Sequence, residues 1–108
     1  MRRKLDHLVS ALDLALGFDV KLTVVHLRVL LLIAQRGSLG TSQEDVQKIL
    51  RVSQATASRT LARLSLEGSP SPSVGWPLGL VELQPTHNDA RVRLAYLSFR
   101  GKSFVDSL

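Results

Sequence analysis

The chain has 108 residues, enough for one domain with a single core. It contains no cysteine, which excludes disulfides, thiolate metal sites and cysteine-based redox sensing, and no stretch approaches the length of an apolar membrane span. Its net charge of +5 is unevenly placed: Lys48 to Lys102 holds eight basic residues against three acidic ones, a balance that suits a polyanion and equally a basic face kept for solubility.

The opening Met1-Arg2-Arg3-Lys4 resembles the charged end of a signal peptide, but Asp6, His7 and Asp13 interrupt the apolar run that such a peptide needs next, so a cytoplasmic protein is expected. Leu5, Leu8, Val9, Leu12 and Leu16 recur at helical spacing, predicting a first helix over residues 1–17 that Gly17 ends. Leu14 lies nearly opposite that stripe, so a second side of the helix is apolar and suits a partner subunit. Thr23 is placed to cap a second helix from Val24 to Gln35, with Leu27, Leu30, Leu31 and Ala34 facing the core.

Ser42 opens a third helix, with Asp45 three residues on as a variant capping box and with Val46, Ile49 and Leu50 inward. Arg51-Val52 makes a tight link, and Ser53 caps a fourth helix running to about Leu66. Two short helices on a minimal turn, residues 42–66, form a helix-turn-helix pattern within a helical core over 22–66. The Ser-, Pro- and Gly-rich stretch 68–79 reads as a loop; it holds the lone tryptophan, Trp76, whose expected role is packing against the sheet. "LVELQP" and "RVRLAYLS" alternate apolar and polar residues, and "THND" between them supplies turn chemistry, giving a hairpin over 80–98 with a basic second arm. A short helix over 99–108 closes the chain. The expected fold is mainly α with a small β-hairpin (α+β), in the order of a winged helix-turn-helix domain.

The fourth helix opens with Ser53, Gln54, Ala55, Thr56 and Ser58, although Ser and Thr are mediocre helix formers. With Ala57, Leu61 and Leu64 inward, Ala55, Arg59 and Ala62 point away, flanked by Ser58 and Arg63. A helix seated in the major groove needs small side chains near its tip for close approach, and amides, hydroxyls and guanidiniums to meet bases and phosphates. The same pattern also fits a plain capped surface helix in a bundle.

From Leu22 to Lys102 the sequence resembles the MarR family of bacterial winged-helix regulators. "LTVVHLRVLLLIA" is similar to that family's second helix, "TSQEDVQKILRVSQATASRTLARLSLEG" to its helix-turn-helix, and "NDARVRLAYLSFRGKSF" to its wing, with Asp89, Arg91, Ser98 and Gly101 on the motif positions. The resemblance implies that Arg91 enters the minor groove from the wing tip while Asp89 holds its guanidinium, as suits narrow A·T-rich DNA. It also marks three departures. Arg51 stands in a turn where the family often has Gly and is placed to reach a phosphate; the loop 68–79 is longer than the family's entry to the wing; and the sequence stops near Leu108, short of the long C-terminal helices that bound the family's effector pocket.

No enzyme constellation is present: His7, His26 and His87 lack metal-ligand spacing, no glycine loop follows a strand to cradle a phosphate, and no serine has placeable base and acid partners. No cofactor, metal or small-molecule effector is expected, and no membrane partner. The expected function is sequence-specific binding of double-stranded DNA by a homodimeric regulator, a repressor by occlusion, using Ser42, Gln43, Arg51, Ser53, Gln54, Ala55, Thr56, Ser58, Arg59, Arg63, Asp89, Arg91 and Arg93. The alternatives are a winged helix serving protein assembly through the first helix and the Trp76 loop, and a replication or partition accessory that uses the same DNA surface.

Overall fold

The computed structural model describes residues 2–18, 22–65, 77–89 and 91–108, with the backbone alone at Phe18. Trp76 and most of the predicted loop 68–79 therefore lie outside the described residues, as does Leu66. The elements run α1 (Arg2–Phe18), α2 (Val24–Arg36), α3 (Gln43–Leu50), α4 (Gln54–Leu64), β1 (Val81–Pro85), β2 (Arg93–Leu97) and α5 (Phe99–Ser107), with a single 3-10 turn at Gly37–Leu39 between α2 and α3. Among the described residues, five helices and one antiparallel hairpin, in this order, make a winged helix-turn-helix.

Side-chain caps account for the starts of α2, α3, α4 and α5. At α2 the Thr23 hydroxyl accepts from the His26 amide at 3.2 Å, and the Thr23 amide donates back to His26 Nδ1 at 3.1 Å, a reciprocal cap with histidine in the usual Glu position. At α3 Ser42 and Asp45 do the same, at 3.0 and 2.9 Å. Ser53 caps α4 through the Thr56 amide at 3.0 Å, and Ser98 caps α5 through the Gly101 amide at 3.0 Å.

The core lies between α2, α4, the hairpin and α5, centred on Leu30, Ile33, Val46, Ala57, Leu64, Leu80 and Ala95. The inward face of α2 is Val29, Leu30, Leu32 and Ile33, rotated from the predicted one, and Leu31 is partly exposed. This helix packs on α4 along one side and on β2 and α5 along another, so its apolar run is used nearly all round and its periodicity marks no single face. On α3 Val46 is buried whereas Ile49 faces solvent.

β1 and β2 pair from Val81↔Leu97 to Pro85↔Arg93. The base of the hairpin is tied at both edges. Thr41 exchanges both backbone hydrogen bonds with Ala95, at 3.1 and 2.8 Å, and Ser65 bridges Val81 in parallel. The Ser65 bridge is also why α4 ends at Leu64: at Ser65 the chain is already paired with Val81. The Thr41 strand is a single residue with no periodicity, and pattern reading misses it.

α1 differs from expectation in two ways. It continues through Gly17 to Phe18, and Gly17 is not among the positive-φ glycines that would mark a helix end. Its stripe does not enter this chain's core: Leu5 is 59% exposed and Leu12 49%, while among the described side chains of the helix Ala15 alone is buried. Leu14, on the other side, is exposed as well. Both faces predicted from spacing are therefore outward in the single chain.

Candidate nucleic-acid interface

α4 separates its residues by the geometry of one helix. Ala57, Thr60, Leu61 and Leu64 are buried, and Gln54, Ala55, Ser58 and Arg59 are exposed. Its first turn is rigid: the Ser53 hydroxyl accepts from the Thr56 amide and donates to Thr56 Oγ1 at 3.0 Å. Both hydroxyls are thereby committed in part to the cap, which leaves Gln54, Ser58 and Arg59 as the outward hydrogen-bonding side chains.

Arg63 corrects the predicted set. It is 8% exposed and lies in the interior rather than on the flank of the outward face. The cause is the segment entering β1: the Leu78 amide donates to the Arg63 carbonyl at 2.8 Å and the Leu80 amide to the Leu64 carbonyl at 2.9 Å, which lays this strand along that side of α4. Nothing in the spacing of α4 discloses a covering strand that arrives from another part of the chain.

The wing tip is built by local hydrogen bonds. The Thr86 hydroxyl donates to the Asp89 carbonyl at 2.7 Å and accepts from the Asp89 amide at 3.0 Å, while the Val92 amide closes on the Asp89 carbonyl. Asp89 then accepts from the Arg91 amide at 3.0 Å, from Nε at 3.2 Å and from Nη2 at 3.4 Å. The Arg91 side chain and amide hold the Asp89 carboxyl below the usual carboxylate range. Arg91 is nevertheless 91% exposed in its side chain, so Asp89 orients the guanidinium without removing it from solvent.

Wing and helix-turn-helix enclose a cleft of about 430 Å³. Ser42, Gln43 and Gln47 line it from α3 and its cap, Ser58 and Ala62 from α4, and Arg91 and Arg93 from the wing. Of the predicted residues, Ser42, Gln43, Ser58, Arg91 and Arg93 therefore share one concavity. Gln54, Ala55 and Thr56 sit one turn or less from Ser58 towards the tip of α4, and Arg59 is its exposed neighbour. Arg51 and Ser53 are exposed in the turn ahead of that tip. Gln47 was not singled out from sequence, although its i, i+4 spacing from Gln43 places both amides on one face. Among the described residues the one acid on the cleft wall, Glu44, is engaged by Lys48 at 2.7 Å.

No protein-family model matches the sequence, and comparison with curated proteins finds no match either. Solved structures do match in shape. The heme sensor PefR of Streptococcus agalactiae, in complex with heme, superposes with a TM-score of 0.64 at 23% identity, over 97% of this chain and 65% of its own. A point mutant of S. aureus MepR bound to an oligodeoxyribonucleotide gives 0.64 at 20% identity, over 99% and 72%. MarR itself gives 0.63 at 22%, over 95% and 71%. The chain has a MarR-like winged-helix fold. It spans 65% of the PefR chain and 72% of the MepR chain. In this MarR-like frame α4 is the second helix of the helix-turn-helix and the β1–β2 hairpin is the wing. The heme in PefR belongs to that protein; it leaves the expectation of no effector here without support from the fold.

Among the described residues no helix is long and apolar enough to cross a membrane, and no group of three or more His, Asp or Glu side chains could hold a metal ion.

Proposed function

We propose that the chain is a sequence-specific duplex-DNA-binding transcriptional regulator of the cytoplasm, not an enzyme, that acts as a homodimer and represses by occluding its site. The observation that carries this reading is the cleft in which Ser58 of α4 faces Arg91 and Arg93 of the wing. A helix presenting small residues and a hairpin presenting guanidiniums on one side of the molecule fit adjacent grooves of a duplex. α4 then lies in the major groove, with Gln54, Ser58 and Arg59 towards base edges and Ser42 and Gln43 towards phosphate, while Arg91 enters the minor groove.

The exposed leucines of α1 support the dimer. Six large apolar side chains on this helix, Leu5 to Leu16, are between 39% and 59% exposed. Covering what remains exposed contributes about 1 kcal/mol for each of them, against an association cost of several kcal/mol. A two-fold pair would set two copies of α4 in successive major grooves, roughly 34 Å apart on a palindromic site.

Selection from random duplex DNA, followed by a salt titration of the winning site, tests the proposal. A short inverted repeat with steep salt dependence is expected, and Arg59→Ala is expected to change the selected motif. Recovery of no enriched sequence overturns the reading.

A further inference from the structure

Four described residues have positive φ, and three of them are glycines: Gly37, Gly40 and Gly79. The fourth is Arg51, at φ 55° and ψ 46°, the C-cap of α3. An L side chain is disfavoured in this left-handed region, where glycine and asparagine sit with less strain. The fold gains nothing visible in return from the guanidinium. Arg51 is exposed, and among the described residues no hydrogen bond or ion pair engages its side chain. The anchoring of the turn belongs to its neighbours: Val52 is half-buried against the core, and Ser53 caps α4. A strained arginine with no partner among the described residues therefore stands just ahead of the helix tip that Gln54 and Ala55 begin.

We propose that Arg51 is a phosphate anchor for duplex DNA, kept in a conformation better suited to glycine because the turn places a cation at the rim of the groove that α4 enters. This rests on the DNA-binding reading above and assigns the charge a role separate from base recognition. When the first turn of α4 lies in a major groove, the residues just before its cap face the bordering sugar-phosphate ridge. A cation there binds every sequence alike and releases one counterion.

The test compares the parent with Arg51→Gly, Arg51→Asn and Arg51→Lys, each titrated over a salt series against the selected duplex and a scrambled duplex of equal length, with melting temperature measured in parallel. Arg51→Gly and Arg51→Asn are expected to melt no lower than the parent. They are expected to bind both duplexes roughly eightfold more weakly at 0.1 M salt, with a salt slope shallower by about one. Arg51→Lys is expected to keep the slope. If Arg51→Gly binds with the parent's affinity and slope, the anchor is overturned while the regulator reading stands. Weaker binding at unchanged slope with a lower melting temperature also overturns it, since Arg51 then serves the turn. A parent that binds neither duplex at low salt overturns the regulator reading and this inference with it.

Discussion

Replacing Gly101 by alanine isolates the joint between wing and last helix. In most helix interiors this change gains about 1 kcal/mol from propensity. Here a Cβ at Gly101 falls 1.9 Å from the Leu80 carbonyl oxygen and 2.9 Å from its carbon, and both obstacles are backbone. The carbonyl is not free to yield, because it accepts the Ser98 amide at 3.0 Å, and the Ser98 hydroxyl donates to the Gly79 carbonyl next door at 2.8 Å. Relief requires moving α5 outward by more than 1 Å, on the order of the gap between this clash and ordinary contact, which strains those bonds and lifts buried Phe104 from the core. Overpacking of this kind costs about 3 kcal/mol, so after the propensity gain Gly101→Ala is expected to lose about 2 kcal/mol. For a domain of this size that lowers the melting temperature by roughly 10 °C. Thermal unfolding followed by circular dichroism measures it. A variant that melts at or above the parent refutes the close approach of α5 to Leu80.

Thr41→Val is expected to raise stability by about 1 kcal/mol, because the Thr41 hydroxyl is fully buried with no hydrogen-bond partner among the described residues and valine keeps its shape; denaturant titration decides, and a lower midpoint counts against it. Asp45→Ala is expected to lose about 1 kcal/mol near neutral pH through the α3 cap. The Ser42 amide, chiefly, with the Ser42 hydroxyl and the Arg36 and Lys48 charges, lowers the Asp45 pKa, so its stabilisation is complete above the ordinary value of 3.8 and fades as pH falls through the folded-state value. The stability gap between parent and variant should accordingly close in acid; a gap constant from pH 7 to pH 2 refutes this origin. Arg91→Ala should weaken duplex binding roughly tenfold at 0.1 M salt, since it removes a groove cation and leaves the Asp89 charge uncompensated; equal anisotropy titrations of parent and variant would sink it. Leu12→Glu should give a monomer by light scattering at concentrations where the parent is a dimer, and a monomeric parent removes the basis of the comparison and the dimer together.

Much of the architecture was readable because local chemistry specifies it. Thr23, Ser42 and Ser53 each precede a helix and each caps it, Ser98 does so at a position that only the wing resemblance marked, and the buried trio Ala57, Leu61 and Leu64 follows from 3.6-residue periodicity alone. The Asp89–Arg91 pair was reached through the resemblance of the wing rather than from spacing, and its carboxyl accepts from both the Arg91 amide and the guanidinium. What stayed hidden depends on segments far apart in the chain. Arg63 is covered by residues 78–80, and the face of α2 is decided by neighbours on several sides. The leucines of α1 show the limit of periodicity: spacing identifies an apolar stripe but not whether the same chain or another covers it.

The two sutures at the foot of the hairpin have a mechanical consequence. Thr41 directly precedes the Ser42 cap of α3 and Ser65 directly follows α4, so the sheet grips the helix-turn-helix at its first and last residues. A guanidinium on the arm and an amide on α4 thus ride on one stiff plate, and bending the arm alone would tear main-chain pairing. In the dimer and DNA-bound state proposed above, occupancy would then be altered with less strain by changing the span between two such plates than by deforming either one, with the leucine-faced α1 as the lever.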